Sequence, residues 1–231
     1  MFKPTTPGAR PITVMPRLFP DALTRKFDVV FGTGKYLGLS DRTNAGVPTQ
    51  AFYGVREYGR AAPVYPSVDN DLVVQDLGAL ANGARVLTDL PVPASTRGWY
   101  FLLDSAAGER SVVSPIALFN TNRAILTTLI PGGSDPCNPS RQGTVLVVDA
   151  ANGGPSPGLA SLAGGLTLAA GYGVAGIRVS NPPAAGMLPV AARVGGGNLM
   201  LPGILLPGGG TFQFSDSYWR RRSWRVLQQG D

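Results

Sequence analysis

Phe31-Gly-Thr-Gly-Lys-Tyr-Leu-Gly-Leu-Ser-Asp41 and, shortly after it, Gln50-Ala-Phe-Tyr-Gly-Val55 are the stretches of sequence that decide the fold. An apolar run over 27–31 stops at two glycines, a polar turn follows, and an aromatic run begins at 51. Short apolar runs bounded by glycine and polar turn residues are typical of β-strands. The two stretches therefore predict a pair of strands joined by a loop.

The rest of the chain repeats this pattern. Of its 231 residues, 31 are glycine and 21 are proline, and the hydrophobic content of 44% is enough for a core. Helical periodicity is scarce, and the apolar residues come in short runs between turn signals. We predict an all-β chain with strands over 27–31, 51–55, 72–77, 99–103, 112–119, 124–130, 144–148, 174–179, 203–206 and 211–214. The pattern alone leaves a sandwich, a barrel and a propeller open.

What the chain lacks excludes several classes of function. Without histidine, Ser-His-Asp and Cys-His catalysis and the commonest transition-metal ligand are excluded. A lone cysteine, Cys137, excludes an internal disulfide and a cysteine-based zinc site. The uncharged stretch 153–177 is interrupted by prolines and glycines, so we do not predict a membrane-spanning helix there.

Three motifs fail as chemical sites. Gly32-Thr-Gly-Lys35 lacks the spacing of a phosphate loop, because Val29 replaces its first glycine and Tyr36 its hydroxyl residue. Asp69-Asn-Asp71 begins like a calcium loop, but valines follow at the fifth and sixth positions. Nothing in the sequence pairs the carboxylates at 104, 109 and 149 as glycosidic chemistry requires. We predict no catalytic, cofactor-binding or metal-binding residue.

Several blocks, in this order, resemble the C-terminal β-propeller of the PilC/PilY family of type IV pilus tip-associated adhesins. Besides the two opening stretches they are Gly98-Trp-Tyr100, Gly108-Glu-Arg110, Thr127-Thr-Leu-Ile-Pro131, Asp135-Pro-Cys137 and Arg221-Arg-Ser-Trp-Arg225. The resemblance implies a partial propeller of about two to three blades, each a four-stranded antiparallel sheet. Residues 1–231 would form the single C-terminal segment of a larger propeller, with a Gly/Ala-rich, poorly defined insertion or loop over 155–210.

The resemblance also implies a function. Family members are non-enzymatic and support pilus assembly and extension, surface attachment and twitching motility. The implied partners are pilins and minor pilins, together with a host or abiotic surface, and the implied location is extracellular, at the cell surface or pilus tip in association with the outer membrane. The chain opens without a signal peptide, which we interpret as a missing N-terminal part. The resemblance allows a calcium site in that upstream part, and no cofactor is expected in this chain.

The residues that carry the resemblance are assigned structural roles: Gly32, Gly34, Lys35, Tyr36, Phe52, Tyr53, Trp99, Glu109, Pro131, Cys137 and Trp224. The basic C-terminal block, Trp219-Arg-Arg-Arg-Ser-Trp-Arg225, is interpreted as a closing strand rather than a surface on which nucleic-acid bases stack. Despite the net charge of +6, we therefore expect no nucleic acid partner.

Other interpretations stay open at the level of sequence. A quinoprotein-like propeller enzyme would need a vicinal cysteine pair and an Asp-rich calcium loop, which the chain lacks. Two further alternatives are a propeller that binds glycans or matrix without any link to pili, and a truncated reading frame without separate function. Genomic context and the size of the native polypeptide would distinguish these alternatives from the pilus interpretation.

Overall fold

The chain is all-β in a computed structural model that describes residues 9–21, 25–57, 71–118, 121–132 and 141–180, and the backbone of 189–193, 200–205 and 211–213. Two large sheets and a small one account for the strands. The first sheet has five strands, the second seven and the third three. These topologies confirm the predicted all-β class.

The strands are short, as the sequence predicts. Their bounds are β1 Arg17–Asp21, β2 Lys26–Gly32, β3 Ala51–Arg56, β4 Val73–Val74, β5 Leu77–Ala79, β6 Ala84–Thr88, β7 Gly98–Leu102, β8 Ile116–Leu118, β9 Arg123–Thr127, β10 Ile130–Pro131, β11 Arg141–Asp149, β12 Tyr172–Ser180, β13 Pro189–Arg193, β14 Met200–Leu205 and β15 Thr211–Gln213. The first sheet has the order β1-β2-β3-β7-β4, the second β5-β6-β12-β11-β9-β8 with β10 also paired to β11, and the third β13-β14-β15. Two 3₁₀ turns, Leu39–Arg42 and Ala160–Ala163, interrupt the connections. No helix in the described ranges is long and apolar enough to cross a membrane.

An aromatic core lies between the two large sheets. Alternate residues of β2, β3 and β7 point into it, so that Gly54 stands directly opposite Trp99, and Gly32 opposite Phe52. A side chain at either glycine would collide with the facing ring, because a Cβ at Gly54 would lie 2.2 Å from the indole of Trp99. The glycines therefore make room for the rings that join the sheets.

The opposite face of the first sheet carries an aromatic ladder. Phe31, Tyr53 and Tyr100 are cross-strand neighbours, and their rings stack with centroid separations of 5.4 and 5.7 Å. Arg10 donates a hydrogen bond of 2.9 Å from Nη1 to the Tyr53 hydroxyl. Both faces of this sheet are therefore apolar and buried at its centre, which explains why its strands are aromatic on successive residues rather than alternating.

The predicted strand over 72–77 is wrong in one respect, because the chain passes there from the first sheet to the second. Val73–Val74 pairs with β7, whereas Leu77–Ala79 pairs with β6. Between them lies Gln75, whose buried side chain donates to two backbone carbonyls and accepts from Leu90 N and Thr88 Oγ1. These hydrogen bonds satisfy the buried amide of Gln75 and hold in place the segment that passes from the first sheet to the second.

Other predicted elements also differ from the structure. The strand over 112–119 is reduced to Ile116–Leu118, and the strand over 124–130 is divided into β9 and β10. By contrast, the strand predicted over 174–179 is confirmed as β12, which is paired on both edges in the second sheet. The division of the chain into a single segment with a poorly defined region over 155–210 stays a prediction.

A buried ion cluster lies at one end of the first sheet. Arg56 Nε lies 3.3 Å from Asp21 Oδ2 and 3.7 Å from Asp28 Oδ1, and all three side chains are almost fully buried. The same guanidinium donates to the carbonyls of Val92 and Pro93. Burial, and then the nearby Asp21 carboxylate, raise the pKa of Asp28 from 3.8 to about 7. The attraction of Arg56 lowers this pKa but does not outweigh them.

This cluster predicts a pH-dependent stability. Asp28 binds its proton more tightly in the folded chain than in the unfolded chain. The contribution of this group to the free energy of unfolding is therefore fully present below its unfolded pKa and is lost as pH rises through about 7. The substitution Asp28→Asn should therefore flatten the fall in unfolding free energy across this window, measured by urea titration at several pH values. Asp104→Asn, at an exposed position, is the control, and an unchanged slope in Asp28→Asn would contradict the assignment.

Candidate functional site

The loop between β2 and β3 carries the family-motif residues Gly34, Lys35 and Tyr36, and hydrogen bonds from distant segments brace it. It leaves the sheet at Gly32, and Gly34 donates a backbone hydrogen bond of 2.8 Å to the Pro11 carbonyl. Gly34 has a φ of +143°, and a Cβ there would lie 2.7 Å from that of Arg110. This glycine therefore lets the loop pass directly against the segment that follows β7.

Arg110 holds this loop through backbone carbonyls. Its guanidinium donates to the carbonyl oxygens of Lys35, Asp41 and Thr43 at 3.3, 3.1 and 3.0 Å, and to that of Gly108 at 2.9 Å. The side chain is buried, and this burial lowers its pKa. Because carbonyls of three separate loop residues converge on one rigid fork of donors, the loop has little freedom to change shape.

Asp41 organises the same loop from within. Its Oδ2 accepts hydrogen bonds from the backbone N–H of Leu37 and Gly38 at 2.9 and 3.1 Å, and its Oδ1 lies 3.3 Å from Lys35 Nζ. The Leu37 N–H first, and then the Gly38 N–H and Lys35, hold the pKa of Asp41 below its usual value. The carboxylate is therefore ionised and fully engaged, which makes it an anchor rather than a general base.

A cleft of about 290 Å³ opens beside the loop. Its walls combine charged and polar groups with small apolar residues, and they include Lys35, Ser40, Asp41, Gln50, Val47 and Pro48. Lys35 is half exposed at its rim, whereas Gln50 is buried and donates from Nε2 to the carbonyls of Ala9 and Pro48. The arrangement offers binding groups but no pair of free titratable groups for acid–base chemistry.

The tip of the loop presents two leucines to solvent. Leu37 is 80% exposed and Leu39 76% exposed, although the backbone around them is held by Asp41 and Arg110. Arg42, also exposed, lies in the same 3₁₀ turn as Leu39. We define the leucine loop as residues 35–42.

The remaining motif residues lie around or below this loop. Pro131 accepts a hydrogen bond of 2.8 Å from Asn44 Nδ2, and Glu109 lies in the interior against Arg85. Tyr36 is half-buried, whereas Phe52, Tyr53 and Trp99 belong to the cores described above. Cys137 and Trp224 lie outside the described residues.

Two residues of the cleft were not among the residues that the sequence predicted to be important. Asp41 and Gln50 lie in the quoted stretches, but only the fold brings them to one cleft. Within the part of the chain that the structure describes, no group of three or more acidic, histidine or cysteine side chains is placed to hold a metal ion. The site is therefore characterised by its shape, its cations and its exposed leucines.

The bracing by Arg110 is directly testable. Arg110→Lys retains the charge but cannot reach four carbonyls, so we expect a loss of about 2–3 kcal/mol in unfolding free energy. Amide hydrogen exchange at Leu37 and Gly38 should accelerate in the same variant. Arg42→Lys is the matched control, since Arg42 is exposed in the same loop. Equal stability and exchange in the two variants would show that the carbonyl contacts do not hold the loop.

Comparison with known proteins gives a consistent set of relatives. No protein-family model matches the chain. A type IV pilus biogenesis factor PilY1 homolog of Xylella fastidiosa (strain Temecula1) is 31% identical over 159 residues, which cover 67% of this chain and 13% of that protein. A second PilY1 homolog of the same strain is 28% identical over 138 residues, or 56% of this chain and 9% of that protein. The chain therefore spans a small fraction of the relatives that it matches.

A solved structure is similar over most of the chain. The C-terminal domain of Pseudomonas aeruginosa PilY1 matches with a TM-score of 0.66 at 19% identity, covering 89% of this chain and 45% of that chain. At this level of identity the match shows a shared fold.

Proposed function

Because this chain is a C-terminal region of the PilY1 family, we propose that it serves type IV pilus biogenesis as a non-enzymatic docking scaffold. The observation that carries the proposal is the 31% identity to a type IV pilus biogenesis factor over 67% of the chain. In this role the chain contributes to tip-associated adhesion and twitching motility from an extracellular position, with pilins and minor pilins as partners. The braced loop and its cleft provide a rigid contact surface of the kind that such a scaffold uses.

We also propose that the sheets belong to a partial propeller. Strands β8, β9, β11 and β12 are successive antiparallel neighbours, as the strands of a four-stranded blade are, and the same sheet continues from β12 to β6 and β5. The motif residues then have structural roles: glycines accommodate rings, and Trp99 and Phe52 fill the space between sheets. The number of blades remains part of the proposal.

The proposed function is tested in the cells that carry the gene. An in-frame deletion of the segment that encodes this chain should remove pilin from the sheared surface fraction while whole-cell pilin persists, and should abolish twitching zones. An antibody against the chain should detect the protein in the same sheared fraction of wild-type cells. Restoring the segment in trans within the complete gene is the control. Normal surface pili and normal twitching in the deletion strain would overturn the proposed function.

A further inference from the structure

The leucine loop combines high exposure with a fixed backbone. Leu37 and Leu39 are among the most exposed large apolar side chains of the described residues, at 80% and 76%. Single exposed leucines are ordinary on protein surfaces. Here, however, two of them flank Gly38, and the N–H groups of Leu37 and Gly38 are tied to the same Asp41 carboxylate oxygen.

A fixed backbone lowers the entropic cost of binding a partner through such leucines. An apolar side chain on a mobile loop loses much of its binding free energy to the ordering of that loop. The leucine loop is already ordered by the guanidinium of Arg110, which fixes the carbonyls at both of its ends. Contact with a partner would therefore bury leucine surface with little further cost in conformational entropy.

The charge around the leucines indicates the chemistry of that partner. Lys35 is 54% exposed at one end of the loop and Arg42 is exposed at the other. The nearest carboxylate, Asp41, is buried and engaged with Lys35 and two backbone amides, so the accessible charge is positive. A complementary surface carries apolar side chains with carboxylates beside them.

We propose that the leucine loop is the docking surface for a pilus subunit whose contact face has apolar side chains flanked by Asp or Glu. The cleft beside the loop, walled by Val47, Pro48 and Lys35, would receive a projecting side chain of that subunit. This inference rests on the proposed function and adds to it the contact surface and the chemistry of the partner.

The binding test uses the full chain and pilus subunits that are each purified as a separate protein and immobilised. At least one of these subunits should retain the wild-type chain. Leu37→Ser with Leu39→Ser should lower the bound amount at least ten-fold without changing the melting temperature. Arg42→Glu should lower it several-fold, with a weaker dependence on salt. The matched control, Leu18→Ser with Leu166→Ser, removes two exposed leucines elsewhere and should bind like the wild type.

Several results would overturn the proposal. They are equal binding by the leucine-loop variant and its control, no binding of the wild-type chain to any pilus subunit, and binding to phosphatidylglycerol vesicles or to a glycan array instead of pilus subunits. Introducing the Leu37→Ser, Leu39→Ser pair into the chromosomal gene separates the two hypotheses. If deletion of the whole segment abolishes surface pili but this pair does not, the proposed function stands and the docking surface is wrong. If the deletion has no effect, both fail.

Discussion

Replacing Trp99 with alanine should lower the unfolding free energy by about 3–5 kcal/mol, the range observed when a large aromatic side chain is removed from a core. Trp99 is fully buried between the two large sheets and stacks on Phe101 with a centroid separation of 5.8 Å. Its Nε1–H donates a hydrogen bond of 2.8 Å to the carbonyl of Ala150, which follows β11. One side chain therefore joins the first sheet to the second by both packing and a hydrogen bond.

The site should not collapse around the missing ring, because glycines surround it. Gly54 and Gly153 lie so close that a Cβ on either would approach the indole to 2.2 or 2.3 Å. These residues have no side chains that could move into the cavity, so the cavity cost should be near the upper end of the range. The Ala150 carbonyl would also lose its buried donor.

Urea unfolding monitored by far-ultraviolet circular dichroism measures this loss. Trp99→Phe should fall between wild type and Trp99→Ala, because it restores packing but not the hydrogen bond to Ala150. Phe27→Ala is the control, since Phe27 is 46% exposed on the first sheet and should cost far less. If Trp99→Ala and Phe27→Ala were equally stable, the aromatic contact between the sheets would not be a major source of stability.

The sequence was sufficient to predict most strands because their apolar runs end at glycine and polar residues. It failed where tertiary contacts override local pattern. β6, over Ala84–Thr88, was missed because Arg85 interrupts its apolar run, although that arginine is buried in the structure. β1 contains Pro20, which argues against a strand, but it is an edge strand, where a missing donor is tolerated.

The candidate site was harder to predict than the fold. The resemblance identified Gly34, Lys35 and the Gly108-Glu-Arg110 block, but their relation depends on contacts between distant parts of the chain. Arg110 and Asp41, for example, are separated by 69 residues and meet through a carbonyl that any residue would supply. No residue type marks such a contact in the sequence. The leucines at 37 and 39 lie in the predicted loop, but nothing in the sequence indicates that a braced backbone presents them to solvent.

The second large effect is expected at the buried pair of Arg85 and Glu109. Arg85 Nη1 lies 3.3 Å from Glu109 Oε2, and the two side chains are 1% and 0% exposed. Thr128 donates a hydrogen bond of 2.6 Å to Glu109 Oε1, whereas Nε and Nη2 of Arg85 have no hydrogen-bond partner among the described residues. Glu109→Gln leaves the guanidinium as an uncompensated buried charge, and should cost about 3–5 kcal/mol.

The double variant Arg85→Met, Glu109→Gln should recover most of that loss. It removes both charges together, fills the arginine volume with an apolar side chain, and keeps an acceptor for the Thr128 hydroxyl. Replacement of a buried ion pair by uncharged groups of similar volume is often neutral or stabilising, because the desolvation cost of both charges disappears. Urea titration of the wild type, both single variants and the double variant gives the coupling free energy. Additive losses would mean that Glu109 does not compensate Arg85, whereas recovery in the double variant would show that Glu109 compensates the buried charge of Arg85.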